Sequence, residues 1–348
     1  MVHLLPMHPL FEDLPAPTLP RDPSRVVVSI SGGKDSIAGL LKALEIFGSD
    51  ILVAHHQILL EDWLGTPEYC QSVCDYLGVP LYLTQGKYNG FLCLGCGHRH
   101  LSLFFEEAYC HKCGSHEKEF LGVIDSIHSF IRFRGKWMNS RVRACTGHYK
   151  TEVWNTWARE CENEAFLGSR PILVMGERHQ ESPGRAKLPE LRYRDLRKNW
   201  VLEYRPILDY RRIDSFRALR QYDIVPHYCY KLQWQGLLRR QHRRWREEGK
   251  EPHCSYPGQW DGLERVGELT DEVLDPMIDS LMFEVDEKGG PRCSCRDCFY
   301  KGAEELRVAY ATDQGKQLID DSIAIERETG FTMKPGQSLE NIVKGAQA

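Results

Sequence analysis

Apolar and polar positions alternate between two periods along most of this chain. Arg25 to Ile30 is a β-branched run that ends in Ser31-Gly32-Gly33. Ile37, Leu40, Leu41, Leu44 and Phe47 then recur at helical spacing, so a helix follows the turn. Ile51 to His55 reads as a second strand and Val79 to Thr84 as a third. Between them Thr66 to Leu77 reads as a helix, with Pro67 early in its first turn. Pro171 to Gly176 and Trp200 to Pro206 are strand-like as well. Strands alternating with helices predict an α/β fold with a doubly wound, mainly parallel sheet. Three stretches break the alternation: Tyr88 to about Glu119, rich in Cys, His and Gly; a basic loop over Gly184 to Asn199; and everything from Lys231 onward, where helices and charge dominate. The expected organisation is an N-terminal arm over 1–24, an α/β domain over 25–230 with a Cys-rich insertion at 88–119, and a helical C-terminal region over 231–348.

The chain has 348 residues, 42% hydrophobic and 27% charged, the balance of a globular protein with a real core. Its net charge of −4 rules out a polyanion-coating protein, so nucleic-acid contact requires a local basic surface. Met1 to Pro20 carries five prolines and does not read as a signal peptide, and no run is long enough for a membrane span. A cytoplasmic location is expected. Thirteen cysteines in such a chain point to metal, iron–sulfur or redox chemistry rather than disulfides.

A strand that enters a glycine turn and then a helix makes an anion site. The helix presents unpaired amides, and glycine lets a phosphate approach the backbone. The candidate is Ser31-Gly32-Gly33-Lys34-Asp35-Ser36. Lys34 adds charge, and Asp35 and Ser36 can cap the helix, orient the turn or help hold Mg2+. The spacing fits neither the Walker pattern nor Gly-x-Gly-x-x-Gly. The hexapeptide resembles the PP-loop of N-type ATP pyrophosphatases, in particular the PAPS (phosphoadenosine-phosphosulfate) reductase-like family. Three further stretches resemble that family's motifs in the same order. They are Arg143-Ala144-Cys145-Thr146 with Lys150, Gly176-Glu177-Arg178-His179-Gln180-Glu181-Ser182, and Arg205-Pro206-Ile207 followed by Pro226-His227-Tyr228-Cys229-Tyr230. In the last, Pro and His are swapped in order. The resemblance implies an ATP site with Mg2+ in which Arg143, Lys150, Gly176 and Arg178 join the loop in binding nucleotide. Asp35, Lys150, Arg178, Glu181 and Ser182 are the implied catalytic groups. His55 and His56, placed at the end of the second strand, lie where open α/β sheets bind ligands, and packing is an equal reading for both.

Cys93-x2-Cys96 and Cys110-x2-Cys113, thirteen residues apart, have the spacing of a four-thiolate zinc site. His98, His100, His111 and His116 leave mixed ligation open. The run Arg292-Cys293-Ser294-Cys295-Arg296-Asp297-Cys298 resembles the tail of iron–sulfur members of the family. On that resemblance Cys145, Cys229, Cys295 and Cys298 would hold a [4Fe-4S] cluster, with Cys293 or Cys254 as substitutes; a second zinc site and unligated thiols are the alternatives. Cys70, Cys74 and Cys161 read as packing residues.

Two basic segments, 185–198 and 239–250, could follow a phosphate backbone or form solvated faces. Together these features imply an ATP pyrophosphatase-type enzyme that adenylylates a substrate oxygen for replacement by sulfur. The nearest resemblance is to the ATPase component of DNA phosphorothioation systems (DndC-like), with tRNA thiolation as a related role. A cysteine desulfurase or another sulfur donor would be its partner. Two alternatives remain at this level: a sulfonucleotide reductase, and a non-catalytic nucleotide-sensing module. The tail from Ala311 to Ala348 lacks cysteine, which counts against the reductase.

Overall fold

The structure, a computed structural model, describes residues 17–103, 109–138, 144–160, 166–168, 171–195, 200–248, 270–284, 291–293 and 295–344. Arg143, Cys161, Cys254 and the basic residues Arg197, Lys198 and Lys250 lie outside them.

The first strand, β1 (Arg25–Ile30), is buried on both faces, with Val26, Val27 and Val28 inaccessible to solvent. That is the pattern of a central parallel strand covered by helices on either side. Around it stand β2 (Leu52–Ile58), β3 (Leu81–Gln85), β7 (Pro171–Met175), β8 (Leu191–Asp195) and β9 (Trp200–Tyr204), in the order β3-β2-β1-β7-β9-β8. All neighbours are parallel except β8, which runs antiparallel to β9. The helices against this sheet are α1 (Lys34–Phe47), α2 (Thr66–Leu77), α5 (Val153–Arg159) and α6 (Arg212–Gln221). The chain winds outward from β1 through β2 and β3, then resumes on its other side with β7. The β1/β7 boundary is therefore the topological switch point, where open α/β sheets bind ligands beyond the carboxyl ends of the strands.

The expected strands and helices form, with two differences. β2 continues to Ile58, which places His55 and His56 within the sheet, 0% and 1% exposed, rather than at a strand end. The basic loop expected over Gly184 to Asn199 contains β8. Its arginines can form an edge strand because Glu203 of β9 answers them: Arg192 and Arg194 both pair with this carboxylate. Cross-strand opposite charges stabilise such pairs.

The Cys-rich insertion is an antiparallel sheet of β4 (Tyr88–Cys93), β5 (Arg99–Ser102) and β6 (Lys118–Ile124), ordered β5-β4-β6. It runs past Glu119 because Ile124 pairs with Tyr88 to close the sheet. Next come α3 (Ile127–Arg134) and a composite helix made of α4 (Ala144–Thr146), a π-helical turn (Gly147–Glu152) and α5. The C-terminal part holds α7 (Cys229–Glu248), α8 (Asp271–Phe283), α9 (Ala303–Tyr310), α10 (Asp313–Thr329) and α11 (Leu339–Val343). These helices share one apolar core with α3, centred on Trp234, Leu274, Leu306 and Ile319. Among the described residues no helix is long and apolar enough to cross a membrane.

Candidate functional site

The Gly-Gly turn ties itself together through one hydroxyl. Ser36 Oγ accepts the Ser31 amide at 3.0 Å and donates to Gly33 O at 2.9 Å. Gly32 has φ +70°, a left-handed conformation that favours glycine. In the first turn of α1 the amides of Asp35 and Ser36 have no intrahelical acceptor, so an anion placed there is favoured. The Lys34 amide donates to the Tyr230 hydroxyl at 3.0 Å.

Asp35 is the charge centre beneath the turn. Its Oδ1 accepts from Arg178 Nε at 2.7 Å and Ser215 Oγ at 2.6 Å; its Oδ2 accepts from Lys34 Nζ at 2.7 Å and Arg178 Nη2 at 3.3 Å. Burial alone would raise its pKa, but Lys34 and Arg178 outweigh burial and hold the carboxyl below the usual range. Burial is also the largest influence on Lys34 and lowers its pKa, with Asp35 opposing. With both oxygens committed, Asp35 positions Lys34 and Arg178 instead of offering a free ligand to Mg2+. Ser215 is a member of this network that no motif announced, since its role depends on α6 crossing behind the loop.

Gly176 ends β7 where the strand meets α1. A Cβ at this position would lie 2.5 Å from Asp35 O and 2.7 Å from Ser36 Cα. The glycine therefore allows β7 to approach the helix start, and through it Arg178 to reach Asp35. Glu181, expected to orient Arg178, does so through the main chain: Oε2 accepts the Arg178 amide at 3.0 Å. The same carboxylate pairs with Arg185. Ser182 Oγ accepts the Arg185 amide at 3.2 Å. Arg205 is fully buried between Glu177 and Glu203, at 2.7 and 2.6 Å, so the Arg-Pro-Ile element braces the strand ends.

Two cavities meet at this loop. The larger, about 830 Å³, is lined by Gly33, Lys34, Asp35, Ser36, Arg178 and Glu181, with Gly176 and Ser182 also on its wall. Its size falls in the general range of small-molecule pockets. The smaller, about 260 Å³, is lined by Asp62, Lys150, Cys145, Cys295 and Cys298. Ser31, Arg185, Arg292 and Cys293 border both. Lys150 thus stands with the thiols and apart from Asp35 and Arg178. Burial would lower the Lys150 pKa, but Asp62 and the thiols Cys295, Cys145 and Cys298 raise it above its ordinary value. It sits on the π-helical turn, an irregularity that commonly re-aims side chains at functional sites.

The cysteine loop is held from three sides. Arg296 donates to Leu60 O and Gln314 O, both at 2.9 Å. Asp297 accepts from His128 Nε2 at 2.5 Å and Ser322 Oγ at 2.8 Å. Lys301 donates to Gln233 Oε1 at 2.8 Å. His128 also meets Asp321 through Nδ1 at 2.5 Å. Burial disfavours its charge, yet hydrogen bonds to Asp297 and Asp321 raise its pKa to about 10. Glu61, buried beside Asp297, is pushed up to about 7.

Of the four thiols expected to hold a cluster, Cys145, Cys295 and Cys298 line the smaller cavity, while Cys229 does not. Cys229 is fully buried at the start of α7, and its sulfur groups with a ring nitrogen of His227 and the sulfur of Cys293, all within 4.8 Å of one another. Cys70 and Cys74 pack in the sheet core. His55 stacks on Trp157 at 4.6 Å between ring centres, and burial lowers its pKa to about 3. His56 Nδ1 contacts Ile30 O at 3.0 Å. Both are buried within the sheet.

In the insertion the four expected sulfurs converge. The ligand atoms of Cys93, Cys96, Cys110 and Cys113 all lie within 4.8 Å, with Cys93 to Cys113 at 3.5 Å and Cys96 to Cys110 at 3.6 Å. Those separations are close to the edge of a tetrahedron with zinc–sulfur bonds of about 2.3 Å. Each Cys-x2-Cys pair closes a knuckle: Gly97 N donates to Cys93 O at 2.8 Å and Gly114 N to Cys110 O at 2.7 Å, both glycines at positive φ. The residues fit a single tetrahedral metal ion, and no histidine joins the four sulfurs among the described residues.

No protein-family profile and no curated protein matches this chain. Among solved structures it is similar to PAPS reductase from Candida auris in a phosphate complex, at 11% identity and TM-score 0.35, over 62% of this chain and 80% of that one. It is also similar to FMN adenylyltransferase from Candida glabrata, at 12% identity and TM-score 0.35, over 61% of this chain and 52% of that one. The same enzyme bound to FAD and pyrophosphate gives 11% identity and TM-score 0.35, over 61% and 54%.

Proposed function

We propose that this chain is a PP-loop enzyme that binds ATP in the larger cavity and transfers its adenylyl group to a substrate oxygen. The observation that carries the reading is the shared border of the two cavities. Ser31 of the phosphate loop and Cys293 of the thiol loop line both, so a nucleotide and a sulfur group can be held within reach of each other. Amides at the start of α1 would receive the phosphates, with Lys34 and Arg178 offsetting their charge in a site already set by Asp35. The substrate oxygen would attack the α-phosphorus and release pyrophosphate. A sulfur nucleophile from the smaller cavity would then form the bond to the substrate as AMP leaves.

Cys145, Cys295 and Cys298 are the residues that would hold an iron–sulfur cluster there, and the neighbouring Lys150 offsets thiolate charge. When bound, such a cluster supplies redox or sulfur-carrying chemistry. Zinc in the insertion is structural in this reading, because a small antiparallel sheet has little core of its own. Nucleic acid is the substrate class favoured, DNA as in phosphorothioation or tRNA as in thiolation, with a desulfurase as sulfur source. Arg239, Arg243 and Arg246 on α7 are exposed, Arg239 also pairs with Asp271 at 2.8 Å, and Arg240 pairs with Glu304 at 2.5 Å.

The experiment is pyrophosphate release by anaerobically purified, metal-replete protein given ATP, a sulfur donor and either DNA or tRNA. Release that requires one nucleic acid supports the reading, and no release with any combination refutes it. The reductase alternative draws on the same thiols beside the loop, and sulfite produced from a phosphosulfate nucleotide without ATP would favour it. A sensor would bind ATP with no turnover under every condition.

A further inference from the structure

His227, Cys229 and Cys293 form a group to which the proposed adenylyl transfer gives no chemical step, although Cys293 lies on the border it relies on. Their ligand atoms lie within 4.8 Å of one another, with His227 and Cys229 buried and Cys293 half-buried. They come from two distant segments that meet beneath the phosphate loop. A Cβ on Gly33 would lie 3.6 Å from Cys293 Cβ, and one on Gly32 would lie 3.6 Å from His227 Cδ2. The thiol of Cys293 is 4.0 Å from Ser31 O.

The imidazole is oriented as a metal ligand. Thr66 Oγ1 gives its hydrogen to Trp63 O at 2.6 Å, so towards His227 Nε2, 3.3 Å away, it acts as acceptor. Nε2 therefore carries the proton and Nδ1 carries the lone pair. A ring nitrogen fixed by a hydrogen bond from its opposite N–H is the outer-shell arrangement that tunes metal-bound histidines. Nδ1 now receives the Cys229 amide at 3.2 Å, a long contact that an ion would replace.

We propose that His227, Cys229 and Cys293 bind one soft divalent cation, zinc by its ligand preference, in a site distinct from the insertion and from the thiols of Cys145, Cys295 and Cys298. Two thiolates and an imidazole are a zinc donor set, and three protein ligands leave a fourth position for water or a sulfur ligand. The ion fastens the 291–293 segment and the start of α7 to the nucleotide loop. Because Cys293 borders both cavities, the site stands where nucleotide and sulfur would meet.

Elemental analysis of full-length protein tests this independently of turnover. The proposal predicts about two zinc ions per chain, one in the insertion and one here, falling to about one in Cys293→Ser and in His227→Asn. Iron content and visible cluster absorption should be unchanged in both variants. Cobalt exchanged into the wild type should give thiolate charge-transfer bands that weaken in Cys293→Ser and Cys229→Ser, while the insertion's contribution persists. Circular dichroism of each variant separates lost metal from lost fold, and His227→Asn is the milder change should a cysteine variant unfold. About one zinc in the wild type, zinc content unchanged by these substitutions, or loss of iron from Cys293→Ser would each overturn the assignment. The adenylyl-transfer reading survives those outcomes, because it rests on pyrophosphate release.

Discussion

Replacing Asp35 by Asn removes one negative charge from a site where two cations depend on it. Lys34 and Arg178 are each 5% exposed, so neither can turn to water for compensation. The Asn carbonyl can still accept from Arg178 Nε and Ser215, but its amide would face Lys34 Nζ, donor against donor. Breaking a buried pair so that one charge is left uncompensated costs about 3–5 kcal/mol. At about 2 °C per kcal/mol for a chain this long, the melting temperature should fall by about 6–10 °C. An anion bound at the loop would restore the missing counter-charge. Pyrophosphate should therefore stabilise Asp35→Asn more than the wild type, where the same cations are already satisfied. The measurement is a thermal melt of both proteins against pyrophosphate concentration. The Asp35 pKa is depressed, so its contribution is present above the ordinary carboxyl range and is lost as pH falls through its lowered folded value. The difference between the two proteins should accordingly narrow in acid. A variant that melts with the wild type at neutral pH, or gains no more from pyrophosphate, refutes the account of Asp35 as the charge centre.

Three further outcomes are expected. Gly176→Ala should cost about 1–3 kcal/mol and weaken ATP binding at least tenfold, as titration calorimetry would show, because its Cβ would meet α1 backbone; Gly33→Ala, with its nearest protein contact at 3.6 Å, should melt near normally. Stripping the metal from Cys93, Cys96, Cys110 and Cys113 should open the 88–124 module to protease while the main sheet stays resistant, and equal resistance before and after chelation counts against a structural ion. His128→Gln should destabilise the protein at neutral pH by about 3 kcal/mol, since the ion pair with buried Asp297 is lost together with the contact to the more exposed Asp321. The wild-type His128 pKa is raised, so its stabilisation is full below the ordinary imidazole value and disappears as pH rises through about 10, and denaturant melts of the two proteins should converge there.

The parallel sheet was readable because its strands are short, nearly unbroken β-branched runs. β1 and α2 fall on the residues expected, Arg25–Ile30 and Thr66–Leu77. β8 was hidden because its arginines read as loop until Glu203, on the next strand, is known to face them. His55 and His56 were placed at a strand end, with packing as an equal reading, because β2 was taken to stop three residues early. The knuckle spacing announced that the insertion's four sulfurs would converge, since both pairs are local. The other thiols gave no such signal: Cys229 goes with His227 and Cys293 because α7 starts under the phosphate loop, a fact of packing that no spacing encodes. Ser215 on Asp35 and His128 on Asp297 are equally tertiary.

The central claim is that this site breaks ATP between its α- and β-phosphorus atoms. ATP labelled separately at the α and γ positions, incubated with metal-replete protein, sulfur donor and nucleic acid, tests it most directly. The account predicts α-label in AMP or in an adenylylated substrate and γ-label in pyrophosphate. Label recovered instead as ADP and orthophosphate would contradict it.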